Sequence, residues 1–545
     1  MDSSRASNGR CPAAKTQLSH SPDSLDIQKV FSKLLSHEDS FDMKSDFRSP
    51  DRASKCTWHL GADPVTSPHA AWQLPPREKI LPSILSAIGK TPMVRLNKIP
   101  KSCGLSCEMV VKCEFLNPAG GVKDRIALRM VEEAEEKGLL KPGGVIIEAS
   151  SGNTGIGLAM VAAVKGYRCI ICIPDRMSMD KVHTLNALGA EVLRVDSTAP
   201  FDSPDMIIAV SQRLQREIPN SVLMNQFTNP SNPLAHYETT AQEIVDDCGG
   251  QVDMLVFGVG TGGTATGLCR KIKELCPNVK IIGADPMGSI LAQPSHLNKP
   301  EVPLVVEGIG YVFVPTTADR SLIDQWYKIE DVESYTMARR LIREEGFLSG
   351  GSSGCIMSAA VKAAASLKEG QRCVVILPDN VRNYLTNFTN DTWMEARGHI
   401  ESPLSKNLWW SNEKVSALKL KQPLTVSGGT SCKRSLQIMK EAGISQLPVI
   451  NDLGVVFGVV TKKSILSELS KGLLKMSDPS EKAMLRSFRK ISSDFTLLRA
   501  SKFLEIEQFL VVTQNQGFTQ DEDTTIRVLT MDDVLRFIEP REEQK

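Results

Sequence analysis

Between about Ile80 and Arg397, short apolar runs alternate with stretches in which apolar residues recur every three or four positions. Residues 109–111, 145–149, 169–174, 191–195, 253–259, 280–285 and 372–378 are nearly continuous runs of Val, Ile, Leu, Met and Ala, which predicts strands buried on both faces. The intervening segments are amphipathic or alanine-rich helices, as where Ile126, Met130, Val131 and Ala134 share one face. This alternation predicts an α/β domain with parallel sheets covered by helices on both sides.

The pattern changes at both ends. Residues 1–76 are rich in Ser, Asp, Lys and Pro and too polar to bury themselves, apart from a short amphipathic helix around Ile27, Val30, Phe31, Leu34 and Leu35. Residues 401–415 read as a linker in which Trp409 and Trp410 are available for docking contacts. Two weakly similar halves follow, at 416–475 and 485–541. In the first, Leu447-Pro448-Val449-Ile450 and Val455 to Thr461 are strands. In the second, residues 509–513 form a strand, and 527–537 repeat the ending of strand, threonine and helix. The period is roughly 60 residues.

At 545 residues the chain exceeds what one core organises, so two or three domains are expected. A hydrophobic fraction of 41% with 23% charged residues fits an ordinary globular protein. The net charge of +1 favours neither nucleic acid nor a membrane surface. No apolar run has the length of a membrane span, and no secretory h-region opens the chain, so a cytoplasmic protein is the expectation. The 13 cysteines are scattered, as free thiols of a reducing compartment would be. Cys169 and Cys172 have redox-motif spacing but lie inside a strand, where core packing is the better reading.

The chemistry gathers where strands give way to helices. Lys123 follows a strand and a glycine turn; partial burial there would favour its neutral amine, which can condense with an aldehyde, although a surface lysine opening a helix has the same local pattern. The turn Ser150-Ser151-Gly152-Asn153-Thr154-Gly155 offers hydroxyls, an amide and N–H groups to a carboxylate. Gly258 to Thr264 forms a second glycine turn opening a helix, suited to phosphate, without a Walker lysine or dinucleotide-binding spacing. Either turn alone is also compatible with a plain tight loop. Ser352 lies in a third such turn, at 349–354. Near the start, Cys56 and His69 are thirteen positions apart, too few for a closed zinc site but enough for two axial ligands of a haem iron, or unrelated residues of a polar tail.

A lysine, a carboxylate-binding turn, a phosphate cup and a lone serine donor together are what a pyridoxal phosphate site requires. Asn117 to Arg125, the Ser-Gly-Asn-Thr-Gly turn and the Gly-Thr-Gly-Gly-Thr turn resemble the β-replacement enzymes of the tryptophan synthase β-like fold (fold type II). With the Cys56-Thr57-Trp58 and Ser67-Pro68-His69 pair, the chain resembles the cystathionine β-synthase family from about Ser54 onward. The resemblance implies a pyridoxal-phosphate catalytic domain at 77–400, a haem-binding part within 1–76, and a tandem CBS-domain (Bateman) module over 416–475 and 485–541. It implies Lys123 as covalent anchor and base, Asn153 at the cofactor's ring hydroxyl, Gly260, Thr261, Gly262, Gly263 and Thr264 around the phosphate, and Ser352 at the pyridine nitrogen. Ser150, Ser151 and Thr154 would face the substrate carboxylate, and Gly308 and Tyr311 the second substrate. Cys56 and His69 would ligate haem b, with Arg270 beside the thiolate, and Thr530 and Asp533 would hold an adenosyl ribose. The implied reaction condenses serine with homocysteine to give cystathionine and water, with hydrogen sulfide as a side product, in a dimer or tetramer that responds to S-adenosylmethionine. A cytoplasmic enzyme with a nuclear pool is implied. The alternatives are a cysteine synthase or serine dehydratase on the same fold, or an adenosyl-sensing pseudoenzyme.

Some positions depart from the family pattern. Pro118-Ala119-Gly120-Gly121 is nearer the cysteine-synthase form, Phe227 stands where tyrosine is common, Cys276 lacks a Cys-x-x-Cys partner, and Ser445 replaces an aspartate of the first CBS half.

Overall fold

The computed structural model describes residues 42–47, 49–54, 56–63, 65, 80–197, 199–401, 408–513 and 526–542. Ten strands build two sheets in the catalytic region: β1 (Met93–Arg95), β2 (Glu108–Cys113), β3 (Val145–Ala149), β4 (Arg168–Pro174), β5 (Glu191–Val195), β6 (Ser221–Leu223), β7 (Met254–Gly258), β8 (Lys280–Pro286), β9 (Gln325–Ile329) and β10 (Arg372–Leu377). The larger sheet runs β1-β2-β10-β7-β8-β9, and the smaller β5-β4-β3-β6. Every pairing is parallel except that of β1 with β2.

The apolar runs become buried strands for the expected reason. Val111, Ile146, Ile147, Ile170, Ile171, Val256, Ile282 and Val375 are fully buried, and each sheet has a hydrophobic cluster on either face. Cys169 and Cys172 sit on β4 within these clusters and act as small apolar residues. Close helix packing depends on glycine: a Cβ at Gly157 of the helix Asn153–Lys165 would come within 3.0 Å of the Ala127 Cβ on the helix Lys123–Glu136.

The polar N-terminal segment, expected to be unable to bury itself, docks onto the catalytic domain in its described part. Phe47 packs edge-on against Phe201 with centroids 6.4 Å apart, the Thr316 N–H donates to the Pro50 carbonyl at 2.9 Å, and Arg216 pairs with Asp46 at 2.5 Å. Contacts with the larger domain substitute for a core of its own. The helix expected around Ile27 to Leu35 lies outside the described residues, as does His69.

Two three-stranded sheets follow: β11 (Val426–Ser427), β12 (Gln446–Ile450) and β13 (Val456–Thr461), then β14 (Lys490–Ser492), β15 (Leu510–Thr513) and β16 (Arg527–Leu529). In each, the first pair is parallel and the second antiparallel, so the structure carries the internal repeat read from the sequence. The halves meet where Val459 and Leu485 exchange backbone hydrogen bonds and Phe509 and Val511 pack on Val459. Val415, ahead of the first half, belongs to the core of the second, as does Ala396 of the helix Asp391–Ala396; Trp409 stacks on Phe537 at 5.9 Å. The second half is thereby fastened to the end of the catalytic domain, also through Arg499 donating to the Ala396 carbonyl at 3.2 Å and Thr392 to Glu505 at 3.1 Å.

Candidate active site

Lys123, Asn153, the 260–264 turn, the 308–311 loop and Ser352 all lie beyond the carboxyl ends of strands or at helix starts, the position at which open α/β sheets bind ligands. One cavity is lined by Lys123, Asn153, Gly260, Gly262, Thr264, Gly308 and Ser352, with Phe257, Ile309 and Ile376 as apolar walls.

Lys123 is the first residue of its helix, reached from β2 through a turn over 114–122. That turn is anchored on both sides. Asn117 accepts from the Gly89 N–H at 2.8 Å, the Val122 N–H donates to the Pro378 carbonyl at 2.8 Å, and Gly121 bridges Asp379. Beneath it, buried Arg125 forks to Glu114 and Glu243, and Lys112 pairs with Glu243 at 2.8 Å. The Lys123 Nζ donates to Thr261 Oγ1 at 3.3 Å, and no carboxylate compensates its burial, so its ammonium is brought down to about 8. The neutral amine that attacks an aldehyde is therefore far more populated near pH 7 than in an ordinary lysine.

The glycine turn opens the helix Gly263–Leu275, whose first N–H groups have no acceptor inside the helix. Gly262 has φ +91°, and a Cβ there would sit 2.2 Å from that of Ala318; one at Gly260 would lie 3.1 Å from the Gly308 carbonyl. This cradle admits no side chain and presents backbone donors at the positive end of the helix, so it fits a phosphate. Asn232 donates to Thr261 Oγ1 at 3.0 Å. Thr264 contacts the buried His236 at 3.2 Å; burial, with Lys123 and Arg125 nearby, holds that imidazole neutral.

The carboxylate turn is more occupied with itself than its sequence implies. Ser150 Oγ accepts from the N–H groups of Gly152 and Gly155 at 3.0 and 3.1 Å, and Thr154 donates to Gln226 at 2.5 Å. Both side chains shape the turn, while Asn153 lines the cavity and Ser151 hydrogen-bonds Tyr311. Beneath it lies Glu148, whose carboxyl burial pushes up to about 8. Tyr311 packs on Phe227 and Phe313 with centroids 5.4 and 5.2 Å apart, so Phe227 forms the wall of an aromatic cluster.

Three residues that belong to none of the sequence motifs complete the site. Asp379 accepts hydrogen bonds from Asn153 and Tyr384, and its Oδ1 lies 3.4 Å from Ser352 Oγ. Lys181, fully buried against the turn at Gly152, pairs with Glu307 just ahead of Gly308. That ion pair joins the smaller sheet's domain to the larger across the cleft. Asp379 follows β10, Lys181 lies in the first turn of the helix Met179–Ala187 and Glu307 lies in the loop between β8 and β9, none of them within a glycine turn, so nothing local in the sequence marks them.

The sequence profile of the pyridoxal-phosphate dependent enzymes matches residues 84–379, and that of the CBS domain matches 415–471. Cystathionine β-synthase from Rattus norvegicus is 48% identical over 96% of this chain and 97% of its own length; that from Apis mellifera is 48% identical over 90% and 97%. The chain belongs to the cystathionine β-synthase family. Its catalytic fold is that of a solved hydrogen sulfide-producing enzyme from Fusobacterium nucleatum, 38% identical, covering 56% of this chain and all of that one with a TM-score of 0.53. An O-acetylserine dependent cystathionine β-synthase from Helicobacter pylori is 36% identical, with the same TM-score, covering 57% and 99%. Family membership makes the catalytic domain a pyridoxal-phosphate-dependent, fold type II β-replacement unit with a CBS domain behind it.

On the opposite end of the helix Gly263–Leu275, Arg270 donates to Cys56 Sγ at 3.2 Å, pairs with Asp319 at 3.1 Å and stacks over Trp58 at 4.4 Å. Among the described residues no group of three or more candidate metal ligands occurs. In the second half of the C-terminal repeat, Thr530 donates to Asp533 at 2.6 Å from the start of the helix Met531–Glu542; Thr461 and Ser464 form the matching capping box in the first half. The repeat therefore places Ser464 opposite Asp533.

Proposed function

We propose that this chain condenses L-serine with L-homocysteine to L-cystathionine and water. The observation that carries this reading is the convergence of a buried lysine of lowered pKa, a glycine phosphate cradle and a neutral serine hydroxyl on one cavity of a cystathionine β-synthase family member. Pyridoxal phosphate, when bound, supplies the aldehyde for amine exchange and an electron sink for the serine α-carbon.

The protein's part is positioning and proton transfer. Gly260 to Thr264 hold the phosphate, Asn153 the ring hydroxyl, and Ser352 the pyridine nitrogen. Backbone N–H groups of the 151–154 turn and the Ser151 hydroxyl hold the serine carboxylate. Once displaced by substrate, the Lys123 amine takes the α-proton and delivers a proton to the departing β-hydroxyl, which leaves as water. Homocysteine enters as a thiol and gives its proton to the Lys123 amine, its sulfur forms the C–S bond at the β-carbon, and Lys123 passes that proton to the α-carbon. Because Ser352 carries no charge, it does not force protonation of the ring, which keeps elimination ahead of transamination. Any thiol can enter at the same carbon, so hydrogen sulfide release from cysteine is the accompanying side activity.

Haem held by Cys56 and His69, a homo-oligomer, and S-adenosylmethionine binding beside Thr530 and Asp533 complete the proposal; Arg270 at Cys56 Sγ supports the first, since it would neutralise a thiolate. A cytoplasmic location agrees with the absence of any helix, among the described residues, able to cross a membrane. The test is product formation by purified protein with homocysteine and either serine or O-acetylserine. Cystathionine from serine at the higher kcat/KM supports the reading. A strong preference for O-acetylserine, with sulfide as the better second substrate, favours a cysteine synthase.

A further inference from the structure

Asp379 does not line the cavity; it stands behind it, 1% exposed, at the end of β10. Its Oδ2 accepts from Asn153 Nδ2 at 2.7 Å and from the Tyr384 hydroxyl, and its Oδ1 lies 3.4 Å from Ser352 Oγ. Asn153 is fixed from its other end by Asn383, whose Nδ2 donates to Asn153 Oδ1 at 3.2 Å. A Cβ added at Gly308, on the cavity wall, would lie 3.7 Å from Asn153 Nδ2, Asp379 Oδ2 and Ser352 Oγ alike, so the three side chains meet at one point. The two groups proposed above for the cofactor ring, Asn153 and Ser352, thus share one carboxyl.

A serine hydroxyl has a single proton. If Asp379 is ionised, that proton goes to Oδ1, and Ser352 presents a lone pair to the ring nitrogen, which suits a protonated pyridine. If Asp379 is a neutral acid, Oδ1–H donates to Ser352 Oγ, and the hydroxyl proton is free for an unprotonated nitrogen. Among the described residues no cation pairs with the carboxyl: Lys181 lies 4.7 Å over the Tyr384 ring and is paired with Glu307, so that the Lys181 charge draws the carboxyl down while the Glu307 charge pushes it up. Both Oδ2 donors are uncharged, and burial raises the carboxyl above its ordinary range.

We propose that Asp379 is a positioning residue which, as a neutral acid, donates to Ser352 and so aims the Ser352 hydroxyl proton at the pyridine nitrogen. This rests on the pyridoxal-phosphate reading of the site and deepens it.

The test is the ¹⁵N resonance of the ring nitrogen in holoenzyme loaded with ¹⁵N-labelled pyridoxal phosphate, with cofactor affinity measured separately by titration of the apoprotein. Asp379→Asn imitates the neutral acid. Its oxygen stays with the Asn153 and Tyr384 donors, and its amide N–H faces Ser352. The expected result is a wild-type resonance and cofactor affinity within about threefold for Asp379→Asn, with a displaced resonance for Asp379→Ala, or for the volume-matched Asp379→Leu where the smaller residue does not fold. A displaced resonance in Asp379→Asn would mean an ionised carboxylate and overturn the proposal. An unmoved resonance in the Ala or Leu variant would mean that the carboxyl does not reach the ring, and would overturn it equally. Wild-type protein that binds the labelled cofactor, with variants giving either result, loses this inference alone; protein that binds none loses the site assignment as well.

Discussion

Replacing Glu307 by Gln should unfasten the two catalytic sheets from each other. The Lys181 side chain is fully buried, and that of Glu307 is 12% exposed. Lys181 rises from the helix Met179–Ala187 of the smaller sheet, whereas Glu307 precedes the Gly308 to Tyr311 loop of the larger, and Asn387 steadies the carboxylate at 3.1 Å. Removing one partner of a buried ion pair costs about 3–5 kcal/mol, because the other charge stays desolvated. The amide still offers a neutral acceptor and Glu307 has some contact with water, which places the expected loss near the lower end, about 3 kcal/mol. Adding Lys181→Met removes the orphaned charge, so the double variant should recover to within about 1 kcal/mol of wild type. Because Lys181 also packs on the carboxylate turn at Gly152, the single variant should raise the KM for serine by roughly tenfold, or about 1.4 kcal/mol. Urea unfolding followed by tryptophan fluorescence, together with steady-state kinetics on the two variants, measures both effects. A Glu307→Gln loss below about 1 kcal/mol, or a double variant no more stable than the single, would refute the latch.

Three further outcomes follow from the same geometry. With Lys123 brought down to about 8, the rate at which apoprotein captures pyridoxal phosphate should rise about fivefold from pH 7 to 8 and less than twofold from 8 to 9; an ordinary lysine would give about tenfold at each step. The sign for stability is the same, since the unfolded chain holds the proton up to the ordinary lysine value of 10.5: this group's contribution grows as pH rises from about 8 and is lost on going below it, as a pH series of denaturant midpoints on the apoprotein would record. Chain cut near Ser411 should yield a soluble core that is more active than the full protein and indifferent to S-adenosylmethionine, and Asp533→Ala should abolish calorimetric binding of that ligand; a less active core would make the module structural.

The legibility of this molecule in its sequence has a physical boundary. Runs of branched apolar residues announced β3, β4 and β10 to within a residue, because strands buried on both faces leave few polar positions. Three-residue β1, β6 and β14 escaped notice since so short a run has no period, and β9 carries Gln325 and Lys328 among its aromatics as an edge strand can. Lys123, Asn153 and the glycine turn were legible because each stands in a strand-turn-helix pattern. Asp379 and Glu307 were not, since what defines them are contacts with residues as distant as Asn153, 226 positions away, and Lys181, 126 away. Docking of Phe47 and Pro50 was likewise hidden, because a polar segment that borrows another domain's core looks like one that has none.

The central claim is that Lys123 is the covalent anchor at which the site's elements converge. Borohydride reduction of the holoenzyme, which fixes the carbon–nitrogen linkage between cofactor and protein, followed by peptide mass mapping, tests it directly. The account predicts the reduced cofactor on Lys123 alone, and none in Lys123→Ala. Label on Lys181, the buried lysine packed against the carboxylate turn, or reduced protein carrying no label at all, would contradict it.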